Sequence, residues 1–204
     1  KKLTDRELLT LYAVAFRLNS QRGSTRIMAD LLSQLHQMLQ IDWSCIHLME
    51  KGSLSLSAWL GLSREFADAF GSLPRSLPWV KDVLDGKSFK AAEIAGHFGP
   101  EAEAAAEAMG MGAWCALPLK IGSGVLGTLF VAHRPNREYT DREVFLLNSI
   151  ANQMAVLIEN HTLYDRMKEK NEELVRSRRA LKENLEEVKR ANIELRSDER
   201  RVGK

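Results

Sequence analysis

Residues 152 to 196, NQMAVLIENHTLYDRMKEKNEELVRSRRALKENLEEVKRANIELR, contain no Gly or Pro, and along their length an apolar pattern gives way to a charged one. Without a helix breaker the stretch predicts a single long helix. Its first part, with Met154, Leu157 and Ile158, needs a core to pack on. Its second part has too few apolar residues to be enclosed by a globule.

That second part reads as heptads. With Asn171 at position a, the d positions are Met167, Leu174, Leu181, Val188 and Leu195, all apolar. The a positions are Tyr164, Asn171, Arg178, Leu185 and Asn192. Asn at a favours a parallel two-stranded coil in fixed register. At ~1.5 Å per residue the rod would extend roughly 50 Å. The expected seam of a homodimer is therefore Met167, Asn171, Leu174, Leu181, Leu185, Val188, Asn192 and Leu195. Arg178 at a, and Lys182 and Lys189 at e without matching Glu at g, point instead to a solvated single helix. The unbroken d column argues against that alternative, because a lone exposed helix gains nothing from an apolar residue every seventh position.

Upstream the pattern is mixed. Thr4 and Glu7 form a capping box before Leu8, Leu11, Ala15 and Leu18, which predicts a first helix over residues 1–22. Ser24 or Thr25 can cap a second helix with Ile27, Leu31, Leu35 and Met38 on one face and Leu32 and Leu39 beside it. The period then shortens to two. WSCIHLME and GSLSLSAWLG predict a hairpin, the second strand presenting Leu54, Leu56, Ala58 and Leu60 on one face. Neither face of the first strand is strongly polar, so helices are expected on both sides of the sheet. Ser63 can cap a short helix bearing Phe66 and Phe70, and Pro78 suits the first turn of another through Trp79, Val80, Val83 and Leu84. AAEIAGHFGP reads as a strand edge or loop, and PEAEAAAEAMGMG as a helix ended by Gly110. AWCALPLKI and GVLGTLFVAH form a second hairpin across GSG. Thr140 and Glu143 make the capping box that starts the long helix.

Composition excludes several functions. The formal net charge of +2 gives no electrostatic case for nucleic acid. No apolar run approaches the ~20 residues needed to cross a bilayer, and no signal peptide is visible. The two cysteines, Cys45 and Cys115, lie inside apolar runs without CxxC spacing, which fits a reducing cytoplasm and no structural zinc. The chain opens at Lys1, so it reads as a piece of a longer protein whose other parts can carry a membrane anchor.

The words ALPLKI, GVLG, YTDRE, IANQMAVLIEN and LYDR, in that order, resemble the C-terminal half of a GAF domain. RLNS, LQID, the first hairpin and WLGLSREFADAFGSLP agree with the N-terminal half. The resemblance spans residues 3 to 165. It implies an α+β fold: a six-stranded antiparallel sheet with helices on both faces, the first, second and last helices on one and the 62–112 insert roofing the other. The expected division is an N-terminal helix at 1–22, a GAF core at 23–160 and a signalling coiled-coil helix at 161–204. It also implies regulatory duty, binding a small molecule or dimerising ahead of an output domain. A sensor histidine kinase is the first expectation, with a diguanylate cyclase or transcription activator as the alternative.

Chemistry is sparse. Cys45 and His47 share a strand face and can supply two metal ligands, but a packed pair is the simpler reading. Cys115 is followed by Ala116 rather than the His usual at bilin-bearing cysteines of related photoreceptors, which disfavours bilin. GAF-fold methionine sulfoxide reductases use cysteines in loops, whereas both cysteines here fall in strands, so no catalytic residue is assigned. His97, between glycines in AGHFGP, is the candidate axial ligand if haem is the cofactor; the plainer reading is a loop His. Tyr139 and Asp141 only loosely echo the cyclic-nucleotide-binding pattern. The roof aromatics Phe66, Phe70, Trp79, Phe89, Phe98 and Trp114 read mostly as core. If a ligand pocket exists, its candidate residues are Trp79, His97, Phe98, Trp114 and Cys115.

Overall fold

The computed structural model describes the backbone of residues 24–135 and 137–202. The expected helix over residues 1–22 lies outside the described residues. The element order is α1 (Ser24–Leu39), β1 (Trp43–Glu50), β2 (Ser53–Leu60), α2 (Arg64–Ala69), β3 (Ser72–Leu73), α3 (Pro78–Leu84), β4 (Phe89–Ala91), α4 (Pro100–Ala108), β5 (Trp114–Ile121), β6 (Gly124–Ala132) and α5 (Asp141–Val202).

Six strands form one sheet in the order β3-β2-β1-β6-β5-β4, every pair antiparallel. Strand alternation divides the side chains into two cores. One face carries Ile46, Cys115, Leu117, Leu119, Leu129 and Val131 beneath α1 and the first turns of α5. The other carries Trp43, Cys45, Trp114, Ala116, Phe130 and Ala132 beneath the insert, here called the roof. Burial on both faces is why β1, β5 and β6 read as apolar runs rather than alternating ones. Pro118 falls past the last β4 pairing, so it sits where β5 is an edge and an N–H is dispensable.

Helix boundaries follow local chemistry. The Ser63 side chain accepts the Phe66 amide at 3.2 Å to start α2, and Pro78 occupies the first turn of α3. Gly110, at φ +69°, closes the turn after α4. At α5 the box closes both ways: the Thr140 amide donates to Glu143 Oε2 at 2.9 Å, and the Glu143 amide donates to Thr140 Oγ1 at 3.2 Å.

Two expectations need correction. Leu54, Leu56 and Ala58 do not share a face. Ile46 pairs with Ala58 and His47 with Leu56, which leaves Ser57 without a partner as a bulge. The extra residue flips the parity, so Leu54 and Leu56 meet the roof core while Ala58 meets the opposite one. Met38 is 38% exposed rather than on the buried face of α1. AAEIAGHFGP, read as a strand edge or loop, is both: its first residue, Ala91, ends β4 and residues 92–99 are loop.

The chain divides into two compact units between Thr162 and Leu163. In the first, α5 buries Leu147, Ile150, Ala151, Met154, Ala155 and Ile158. In the second, every described side chain from Arg166 to Lys189 is exposed.

Candidate functional site

The roof holds a continuous aromatic cluster. Phe98 and Trp114 have ring centroids 4.9 Å apart, Trp79 and Trp114 5.3 Å, and Phe70 and Phe130 5.1 Å. Tryptophan N–H groups need partners when buried, and both find backbone ones: Trp79 Nε1 donates to the His97 carbonyl at 2.9 Å, and Trp114 Nε1 to the Glu93 carbonyl at 2.9 Å. The segment carrying Glu93 and His97 is thereby fastened to the core by two indoles. The His97 ring lies edge-on to Phe89 and Trp114, each 5.4 Å away.

Of the five expected pocket residues, Trp79, His97, Phe98 and Trp114 thus come together. Cys115 does not. It follows Trp114 on a strand, so its side chain enters the opposite core with Leu117 and Val131. The ring packing also bears on haem. A macrocycle carried on His97 would have to part Phe89, Phe98 and Trp114, so the roof as packed does not fit one.

Neither cysteine is primed as a nucleophile. Burial pushes the Cys45 thiol well above its ordinary value and Cys115 up to about 12. Cys45 Sγ lies 3.8 Å from His47 Nδ1, and His47 Nε2 donates to the Phe70 carbonyl at 2.8 Å. Burial lowers the His47 pKa to about 4, against the raising effect of that carbonyl. The pair is therefore a neutral, satisfied part of the core. Among the described residues no group of three or more His, Cys, Asp or Glu is placed to hold a metal ion.

The most unusual surface is on the second unit. Met167 is 72% exposed, Leu174 67%, Leu181 71%, Leu185 53% and Val188 58%, with Asn171 exposed among them. Around them Lys170 pairs with Glu173 at 2.7 Å and Arg179 with Glu183 at 3.2 Å, the spacing that supports a helix from its polar side. Asn192 and Leu195 lie where side chains are outside the described residues.

An antiparallel sheet with a helical pair on one face and a roofing insert on the other defines a two-core α+β domain. The GAF domain family model matches residues 21–159, and the chain belongs to that family. Comparison with curated proteins gives no significant match. Solved structures do share the fold. The GAF domain of an Acinetobacter phosphoenolpyruvate-protein phosphotransferase superposes with a TM-score of 0.64 at 14% identity, covering 81% of this chain and 99% of that one. A domain assigned to a two-component sensor histidine kinase protein from Sinorhizobium meliloti 1021 gives 0.60 at 20% identity, covering 72% and 99%. The free methionine-R-sulfoxide reductase from Neisseria meningitidis gives 0.62 at 14%, covering 78% and 91%. At these identities the likeness is one of fold. A sensor domain and an enzyme share it, so function must be argued from this chain's own residues. Among the described residues no helix is long and apolar enough to cross a membrane.

Proposed function

We propose that this chain is a cytoplasmic regulatory GAF module that forms a parallel homodimer through the distal part of α5 and relays a change in its core to an output domain, of the sensor histidine kinase class. One observation carries the reading: an apolar residue every seventh position, from Met167 through Val188, exposed in the single chain. Leaving such side chains in water forfeits about 1.5–3 kcal/mol for each one that burial would enclose. A second copy in the same register encloses them all. Asn171 at a supports the parallel arrangement. The relay rests on continuity, because α5 is one helical element from Asp141 to Val202 whose first turns are part of the core. The Sinorhizobium relative supports the choice of output class.

Sedimentation equilibrium tests the dimer. The wild-type chain should sediment at twice its mass, and Leu174→Asp/Leu181→Asp should sediment as a monomer with an unchanged near-UV spectrum. A monomeric wild type at tens of micromolar would end the proposal. Spin labels on Lys168→Cys test direction: a parallel pair holds the labels roughly 10–20 Å apart, whereas antiparallel chains separate them by far more.

A further inference from the structure

On the face of the sheet opposite the roof, a cavity of about 40 Å³ opens where the end of α1, the β6–α5 connection and the first turns of α5 meet. Leu39, Ile41, Leu146 and Leu147 form its apolar side, and His133, Arg137, Tyr139 and Glu143 its polar side. Two of these polar residues stand out. Tyr139 is 6% exposed and His133 2%, yet neither Tyr139 Oη nor His133 Nδ1 has a hydrogen-bond partner among the described residues. Their rings lie side by side, centroids 5.0 Å apart. His133 Nδ1 comes only within 3.5 Å of Asp42 Oδ2. Buried polar atoms are nearly always paired in folded proteins, so the unpaired Tyr139 hydroxyl on the wall of a cavity marks a place built to receive its partner.

The unused valences are donors. Glu143 Oε2 already accepts from the Thr140 amide and hydroxyl, and its Oε1 from Arg137 Nη2 at 3.2 Å. Arg137 has five N–H donors, most of them uncommitted to Glu143. Tyr139 brings its hydroxyl, whereas an N–H on His133 Nδ1 faces Asp42 Oδ2 at 3.5 Å. A phenol hydroxyl beside a guanidinium calls for an anionic acceptor. The single guanidinium, with the Glu143 carboxylate beside it, suits a monoanion and repels a phosphate. A water needs ~10–15 Å³ of such space, so the cavity admits about three or four non-hydrogen atoms. The apolar walls give water nothing to bond but match a short alkyl group.

We propose that this cavity binds a monocarboxylate of two carbons. Its carboxylate accepts from Tyr139 Oη and Arg137, and its alkyl end rests on Leu39, Ile41 and Leu147. The proposal does not depend on the dimer.

The test is amide NMR of the full chain titrated with sodium acetate, against sodium chloride at matched ionic strength and methylammonium chloride as the cationic counterpart. Saturable shifts are expected at Tyr139, Glu143 and Leu147 with acetate alone. Tyr139→Phe and Arg137→Gln should each weaken binding by roughly tenfold or more, as the loss of a hydrogen bond to a charged group does. Tyr139→Phe keeps the ring and removes an orphan hydroxyl, so its melting temperature should equal or exceed that of the wild type. Lost binding would then not be lost folding. Shifts that do not saturate, that are matched by methylammonium, or that persist unchanged in both variants would overturn the assignment.

Discussion

The Ser88 hydroxyl donates to Asn148 Oδ1 at 2.6 Å, joining the residue just before β4 to the second turn of α5. Two residues on, Lys90 Nζ donates to Asp141 Oδ1 at 2.7 Å and to the Tyr139 carbonyl at 3.1 Å. The residue between them, Phe89, points the other way, onto Trp114 at 5.2 Å. This is strand alternation put to use. The roof core includes no side chain of α5, so this edge strand, touching the roof with one face and α5 with the other, is a direct mechanical link between them. Each carboxyl and ammonium in the Lys90–Asp141 pair shifts toward its charged form through their mutual hydrogen bond.

Cutting that link should loosen the start of α5 without unfolding the roof. In Ser88→Ala/Lys90→Met, hydrogen exchange of amides 144–152 should speed by about tenfold, while the protection of β5 and β6 stays as in the wild type. Equal exchange in both proteins would show that α5 is held by the apolar contacts of Ile150 and Met154 alone.

Acid should destabilise the domain through His47. Its folded pKa, lowered to about 4, lies below the ordinary value of 6.5, so the unfolded chain binds a proton that the folded chain refuses. Stability is then full above pH 6.5 and falls as pH drops toward 4. The loss between pH 7 and pH 5 should be about 2 kcal/mol from this group. His36 and His133, both lowered first of all by burial, act in the same direction. Urea titrations of wild type and His47→Gln at both pH values check this. The variant keeps a donor for the Phe70 carbonyl but has no proton to gain, so its stability should drop less by that amount.

Gly127 is where two strand backbones meet too closely for a side chain. A Cβ there would overlap the His47 carbonyl oxygen and crowd Leu48 Cα to 3.0 Å. Both are main-chain atoms of the central β1–β6 pair, which cannot swing aside. Gly127→Ala should therefore cost more than about 3 kcal/mol, well above an ordinary surface change, or prevent folding. Gly124→Ala, in the same GVLG word, meets only the Ile121 carbonyl oxygen at 3.6 Å and should cost far less. Paired melts of the two variants distinguish a steric role for Gly127 from a general dislike of alanine in β6.

These residues also show what the sequence made legible. Elements with a local signature were readable: the Thr140–Glu143 box, Ser63 before Phe66, Pro78 at a first turn, and the hairpin at Gly122 and Ser123. The family words carried the six-strand count, since β3 and β4, at two and three residues, are shorter than any period can register. The Ser57 bulge was hidden because the Leu-Ser alternation continues unbroken through it, although the side of the sheet it faces changes. The His133–Tyr139 cavity was hidden for a different reason. Its walls come from three separate elements, and an unpaired buried hydroxyl is a fact about neighbours, not about spacing. Cys115 was misplaced by treating nearness to Trp114 in sequence as nearness in space.

Asn171 offers the sharpest check on the coil, because the two readings of the distal helix assign it opposite consequences. On a solvated single helix an exposed Asn is a poor helix former, and Asn171→Leu would raise helicity by a few tenths of a kcal/mol and leave a monomer. At an a position of a parallel dimer, the Asn side chains of two copies face each other across the seam. They hold the register by bonding to one another, at a cost in stability. Asn171→Leu should then raise the melting temperature of the dimer while admitting trimers or shifted registers. Sedimentation would show the broader mass distribution, and spin labels at Lys168→Cys would show more than one distance where the parent shows one. Met167 and Leu174 lie one turn away on either side and Leu181 about three turns on, all exposed in the single chain, so the substitution extends an apolar strip already present. A variant that remains monomeric and gains only helicity would assign that strip to solvent.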